Sequence, residues 1–147
     1  MKIDELNLAI IKELRQGRKA FKTIAENLQV TENTVRSRAK KMEEAGFLSI
    51  TGQVDLEYVP RHQLVFIAAK LKTTDIVGKG EEFSRLKGVV SVSVVTGRYD
   101  LIVLVTFNEE YGLQEFYTEQ LPKVEDVQYL ETFVVFKGFN MKVPYVL

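Results

Sequence analysis

The sequence predicts an α+β chain of two domains, and three observations carry that prediction. Apolar residues recur at helical spacing from Ile3 to about Gly46. After Pro60 the period becomes strand-like. Between the two lies Glu57–His62 (EYVPRH), where Pro60 disfavours regular structure at Val59. The expected division is a first domain over 1–56, a linker at 57–62 and a second domain over 63–147.

The chain has 147 residues, 46% of them hydrophobic and 27% charged, enough to bury one ordinary core or two small ones. It has no cysteine, which excludes a disulfide framework and a cysteine nucleophile and fits a reducing cytoplasm. The opening MKIDELNLAIIKEL carries Asp4, Glu5 and Glu13 inside its apolar pattern, so it does not read as a secretory signal. No uncharged apolar run is long enough to span a bilayer. The expectation is a cytoplasmic protein without a membrane partner. The net charge of zero hides an asymmetry. Residues 1–50 hold ten Lys and Arg against seven Asp and Glu, whereas residues 51–147 hold ten against thirteen. Binding to phosphates needs only a local basic surface, so overall neutrality does not argue against it.

In the first domain, Ile3 to Gln16 reads as a helix with Leu6, Ile10, Ile11 and Leu14 on its apolar face and Asp4 favouring its start. Gly17-Arg18-Lys19 breaks it. Phe21, Ile24, Ala25 and Leu28 stripe a second helix, Gln29 and Val30 turn the chain, and Thr31 caps a third. On that third helix Val35, Ala39, Met42 and Ala45 are expected to face inward, and Gly46 to end it. Asn33, Ser37, Lys40 and Glu44 then face outward, flanked by Thr34, Arg36 and Lys41. Small polar and basic groups on the N-terminal half of such a helix suit the DNA major groove. A solvated face on an ordinary helix pair is the plainer reading. Phe47–Ile50 and Gln53–Leu56 around Thr51-Gly52 predict a small hairpin, the wing of a winged helix-turn-helix.

The second domain starts with Gln63–Leu71, rich in β-formers. Thr74 or Asp75 caps a helix running to about Lys87, with Ile76, Phe83 and Leu86 inward. Gly78 and Gly80 weaken its first turns by roughly 1 kcal/mol each relative to Ala. Val89–Thr96 alternates as a half-buried strand, Gly97-Arg98-Tyr99 turns, and Asp100–Phe107 reads as a central strand. Asn108 is expected to cap a helix through Gln120, with Leu113, Phe116, Tyr117 and Leu121 inward and Pro122 ending it. Val127–Lys137 is the next strand, and Lys142–Val146 a short edge strand. The order β-α-β-β-α-β is ferredoxin-like, with both helices on one face of an antiparallel sheet. The other face needs a cover. Val95, Leu101, Val103 and Val105 include apolar groups that two helices cannot all hide, which points to sheet-to-sheet dimerisation.

Over its whole length the chain resembles the Lrp/AsnC, or feast/famine, family of bacterial and archaeal regulators. Ile3-Asp4 with Leu6 and Ile10-Ile11 is similar to the family's opening pattern. Ile24-Ala25 through Gly46 is similar to its reader segment, including Arg38, Lys40-Lys41 and Glu43-Glu44. Thr96-Gly97-Arg98-Tyr99-Asp100 before LIVLV is similar to its Thr-Gly-x-x-Asp loop. Three positions depart from the pattern: Asn7 for a second Asp, Gln29 for a turn glycine, and Thr34 for a proline.

The resemblance implies a sequence-specific DNA-binding transcriptional regulator. Its first domain would bind double-stranded DNA, and its ferredoxin-like second domain would sense a small molecule and oligomerise. No cofactor and no metal are expected. Asn33, Thr34, Arg36 and Ser37 would approach base edges, with Thr31 beside them. Arg38, Lys40 and Lys41 would contact phosphates or orient the helix, and Lys19 and Lys22 would add backbone contacts. The resemblance also implies homodimers assembling into tetramers or octamers, with an effector such as an amino acid near Thr96, Gly97, Arg98, Tyr99 and Asp100. There Asp100 would accept from an ammonium, Arg98 pair with a carboxylate, and N–H groups beside Gly97 hold an anion. Alternatively Gly97 only permits the turn and Asp100 only satisfies its backbone.

Two other classes stay in view. One is a small-molecule module whose helix pair no longer reads DNA, but Arg36, Arg38, Lys40 and Lys41 are all retained. The other is a tetrapyrrole-processing enzyme subunit of the same fold. That would need several acid–base groups, and the chain has a single histidine, His62, and no Walker, HExxH or GxSxG motif.

Overall fold

The computed structural model describes residues 3–147. It divides into two compact units, Met1–Thr51 and Gly52–Leu147. Met1 and Lys2, at the start of the expected first domain, lie outside the described residues.

The first unit is three helices, α1 (Glu5–Leu14), α2 (Phe21–Leu28) and α3 (Glu32–Glu44). Asp4 caps α1 by accepting the Asn7 N–H at 2.9 Å. Ile10, Ile24, Ala25, Val35 and Met42 form the core, with Leu6, Ile11, Leu14, Phe21, Leu28, Val30 and Leu48 around it. The turn between α2 and α3 puts Gln29 in the left-handed region at φ 55°. Val30 N–H then reaches back to Ala25 O at 3.0 Å. Gly46, at φ 67°, ends α3. Ala45 lies past the helix end and is exposed, not inward.

The expected wing hairpin does not form. Phe47–Ile50 carries no strand, and β1 (Gln53–Val54) pairs antiparallel with β6 (Val143–Pro144) instead. The reason lies in packing. Leu48 joins the helical core, whereas Val54 joins a cluster in the second unit around Leu56, Leu64 and Val143. The two halves of the hairpin are thus claimed by different cores. Lys142–Val146 correspondingly supplies a partner for β1, not an edge of the main sheet. Within Glu57–His62, a 3-10 turn at Leu56–Tyr58 packs into the same unit.

The main sheet has β2 (Gln63–Leu71), β3 (Val89–Val94), β4 (Leu101–Phe107) and β5 (Val127–Val134) in the order β3-β4-β2-β5, all antiparallel. This is the ferredoxin-like arrangement. Asp75 caps α4 (Ile76–Ser84) by accepting the Gly78 N–H at 3.1 Å. Gly80 lets α4 lie close on the sheet, since a Cβ there would sit 3.3 Å from Val94 Cγ2. The second helical segment starts later than expected. Asn108 Oδ1 accepts from Glu110 and Tyr111 N–H groups, closing a turn, and α5 (Leu113–Glu115) begins after Gly112. It continues as a π turn (Phe116–Gln120) and a 3-10 turn (Leu121–Lys123). Phe116 is buried there, while Leu113 stays exposed.

The helix-covered face holds Val65, Ile67, Ala69, Leu101, Val103 and Val105 against Phe83 and Phe116. Leu101, Val103 and Val105 are therefore fully covered within one chain, contrary to the expectation. One end of the opposite face is covered by Leu56, Val135, Met141 and Val143. The rest of that face is open. Register places Phe66, Ile102, Tyr129 and Phe133 on it, with Tyr129 and Phe133 exposed.

Candidate functional site

Two surfaces carry the predicted residues. The first is the outer face of α3. Thr31 Oγ1 accepts the Thr34 N–H at 3.2 Å, and the two hydroxyls lie 2.8 Å apart, so both serve the start of the helix. Asn33 and Ser37 are exposed one turn apart. Arg36 lies between them, with its guanidinium 2.6 Å from Glu32 and 5.6 Å from the Phe21 ring centre. An exposed i,i+4 pair is worth about 0.3–0.5 kcal/mol, whereas a base contact is worth about 1–3 kcal/mol, so Arg36 is free to exchange partners.

Arg38 is different. It turns back to α1, donating to Asp4 Oδ2 at 2.5 Å and to Asn7 Oδ1 at 3.1 Å. Of the two roles expected for it, phosphate contact or orientation of the helix, these bonds favour orientation of α3. Lys40 lies 3.6 Å from Glu44. Lys41 on α3 and Lys22 on α2 are exposed and have no ion-pair partner among the described residues. Lys19 is held by Glu13 at 2.5 Å. Arg18, Lys22 and Arg36 line one hollow beside the start of α2, whose N-cap Ala20 offers no side-chain acceptor. Arg18 was not in the predicted set. Its place in a Gly-Arg-Lys break before a helix is the signal that points to it.

The second surface is the loop from Thr96 to Asp100. Gly97 adopts φ +126° and Arg98 is exposed. The Arg98 guanidinium is 5.6 Å from the Tyr99 ring centre, and Tyr99 meets Tyr129 edge-on at 6.0 Å. Asp100 turns inward. One oxygen takes Lys70 Nζ at 2.8 Å, and the other takes the Leu71 N–H at 2.8 Å. The Lys70 ammonium, then the Leu71 amide, hold its carboxyl below the usual aspartate range. Asp100 thus satisfies the sheet, while Arg98 has no carboxylate partner among the described residues. Lys70 and Tyr129 meet this loop through strand register, which no local feature of the sequence reveals.

His62 belongs to neither set of predicted residues. Its Nδ1 lies 2.9 Å from Pro60 O and its Nε2 3.0 Å from the Tyr145 hydroxyl.

A three-helix unit with a capped turn before an outward polar helix, followed by a split βαβ sheet domain, defines a helix-turn-helix transcriptional regulator with a second, ligand-binding domain. Residues 3–43 match the AsnC-type helix-turn-helix domain, and residues 64–143 match the Lrp/AsnC ligand binding domain. The chain belongs to the Lrp/AsnC family. It is 29% identical over 135 residues to an uncharacterized HTH-type transcriptional regulator of Pyrococcus furiosus, covering 90% of this chain and 91% of that one. The structure of E. coli AsnC superposes with a TM-score of 0.68 at 24% identity, covering 96% of this chain and 97% of that one. A transcriptional regulator of Neisseria meningitidis, solved as an L-Met complex, superposes with a TM-score of 0.69 at 20% identity, covering 99% and 96%. No helix among the described residues is long and apolar enough to cross a membrane.

Proposed function

We propose that this regulator reads a specific DNA site through the exposed face of α3. The observation that carries the reading is the division of labour on that helix. Asn33 and Ser37 are exposed on its N-terminal half, and Arg36 is only loosely held. Thr31 and Thr34 fix the helix start from which these groups project. Asn33, Arg36 and Ser37 contact base edges. Lys22, Lys40 and Lys41, joined by Arg18, contact phosphates, and Arg38 holds the helix in place. The unit ending at Thr51 carries this role, and the unit from Gly52 carries assembly and sensing.

The open sheet face around Phe66, Ile102, Tyr129 and Phe133 supports a two-fold dimer, which supplies paired readers for a two-fold operator. Tetramers or octamers are built from such dimers. The Thr96–Asp100 loop supports effector binding, with Arg98 holding a carboxylate and Tyr99 and Tyr129 offering ring surface. An amino acid is a fitting effector class, since a Neisseria neighbour was solved with L-Met. The protein works in the cytoplasm and is not an enzyme. His62, its only histidine, is occupied by Pro60 and Tyr145.

The test is an electrophoretic shift with DNA from the protein's own promoter region, with unlabelled competitor, at two salt concentrations. Salt-sensitive retention that resists competitor supports the reader. A folded protein that retains no DNA at either salt overturns it.

A further inference from the structure

The start of α3 places a carboxylate where a reader meets DNA. Glu32 is the first residue of the helix, directly after the Thr31 cap. It stands outside the set of residues expected to touch DNA, yet the N-terminal residues of a reader helix are those that lie against base edges. Glu32 Oε1 accepts from the Arg36 guanidinium at 2.6 Å. Both side chains remain open to solvent, 43% exposed for Glu32 and 61% for Arg36. The Phe21 ring backs the guanidinium from α2, its centre 5.6 Å away. The Arg36 fork is therefore steered from two sides. Its remaining N–H donors and the second Glu32 oxygen form no other hydrogen bond among the described residues.

A carboxylate in this place is a liability on most DNA. The phosphates repel it wherever the duplex is engaged. In the major groove the bases offer it a donor only at the amino groups of cytosine and adenine. Glu32 thus acts against any site that gives it no amino group, which is discrimination by repulsion. Together with Arg36 it presents a guanidinium fork and a carboxylate oxygen side by side. A G·C base pair presents the complement on one edge, guanine O6 and N7 as acceptors and then the cytosine amino group as donor. An A·T pair does not, because thymine supplies an acceptor and a methyl group in place of the amino group. The helix's other spaced pair, Lys40 and Glu44, lies on the C-terminal half at 3.6 Å. Lysine is a point charge without a fork, so that pair does not match a base edge in the same way.

We propose that Glu32 and Arg36 read one G·C base pair as a unit, Arg36 donating to guanine and Glu32 accepting from the cytosine amino group. This rests on the reading of DNA by α3 proposed above, and it adds Glu32 as a residue that sets specificity. Arg36 keeps Glu32 while it does so, since a single N–H of the fork is engaged there. A carboxylate in the first turn also favours the helix dipole, but that effect is the same on every DNA.

The test selects sites from random duplex DNA with the full chain, wild type and Arg36→Ala, and then measures dissociation constants. The wild-type site should contain a G·C pair whose identity is lost in the Arg36→Ala selection. At that pair, 7-deazaguanine, which lacks N7, should weaken wild type but not Arg36→Ala. N4-methylcytosine, which places a methyl group where the free amino hydrogen was, should weaken wild type but not Glu32→Ala. Glu32→Ala and the equal-sized Glu32→Gln should both bind random duplex more tightly than wild type. Glu32→Ala should also lose roughly tenfold in preference for the selected site, with the circular dichroism spectrum unchanged. If Glu32→Ala weakens both DNAs alike, if wild type ignores N4-methylcytosine, or if Arg36→Ala recovers an unchanged site, the paired reading is overturned and sequence reading by α3 still stands. If the wild-type chain recovers no common site, both are overturned.

Discussion

Arg38 on α3 donates to Asp4, the cap of α1, at 2.5 Å, tying together residues 34 positions apart. The same guanidinium nitrogen lies 3.1 Å from Asn7 Oδ1. One side chain therefore joins the start of the first helix to the middle of the reader helix. Asp4 accepts the Asn7 N–H as well, and Arg38 first, then that amide, hold its carboxyl below the usual aspartate value. A depressed carboxyl contributes fully above its unfolded value of about 3.9 and loses that contribution as pH falls through the lower folded value. Asp4→Asn should therefore be less stable than wild type in urea unfolding at pH 7. The gap should narrow as pH falls below the unfolded value and close once pH passes the lower folded value of Asp4; a gap unchanged across that descent would falsify the ionic account.

Sequence discrimination and phosphate binding should separate on α3. Asn33→Ala and Ser37→Ala should each reduce the preference for operator over random DNA by about 1–3 kcal/mol, with the salt slope kept. Lys41→Ala should weaken both DNAs alike and lower the salt slope by about one. Binding titrations at several salt concentrations read both quantities.

Gln29 holds a left-handed backbone where glycine has no steric penalty. The cost for a residue with a Cβ is about 1–2 kcal/mol, offset in part by the greater freedom glycine gains when unfolded. Gln29→Gly should stabilise the protein by up to about 1 kcal/mol, read as a shift in urea midpoint. A loss of stability would show that the Gln29 side chain makes a contribution of its own.

At the loop, Asp100→Asn retains an acceptor for the Leu71 N–H but loses the charge facing Lys70, whereas Asp100→Ala loses both. The thermal midpoint should fall in the order wild type, Asn, Ala. Because Lys70 and the Leu71 amide depress the carboxyl, the wild-type advantage over Asp100→Asn should hold at neutral pH and fade below about pH 4. Arg98→Ala should leave the midpoint unchanged and remove any effector response. Melting curves and an effector titration test the two roles apart.

The sheet-face dimer should dissociate on Phe133→Asp, because a carboxylate would be buried without a partner against Phe66. Light scattering would then report monomers with an unchanged circular dichroism spectrum. A dimer that survives this change forms elsewhere.

Much of this was legible in the sequence, because period and capping are local. The stripe at Phe21, Ile24, Ala25 and Leu28, the Thr31 cap and the Gly46 stop all encode structure within one or two turns. The order of strands and helices in the second unit was legible for the same reason. What escaped was pairing at long range. Gln53-Val54 looked like half of a hairpin, since nothing nearby in the chain announces Val143. Arg38 could contact phosphates or orient the helix, and the sequence does not decide, since its partners Asp4 and Asn7 lie far back in the chain. Which of its two expected roles Asp100 plays was not legible, since Lys70 reaches it only through the antiparallel register of β2 and β4. That the helices hide all of Leu101, Val103 and Val105 was not legible, because a strand apolar on both sides does not say which side its helices cover.

The ladder between β1 and β6 has a consequence for synthesis. Its two strands are separated by about 90 residues of chain, and closing a loop of that length is slow beside the local folding of three helices. On the ribosome the helical unit has all its core residues soon after Thr51 is made. Val54 and Leu56, next in line, wait exposed until Val143 arrives. The protein is therefore born with a finished reader and an unfinished sensor, and any chaperone it needs should engage the nascent chain during that interval.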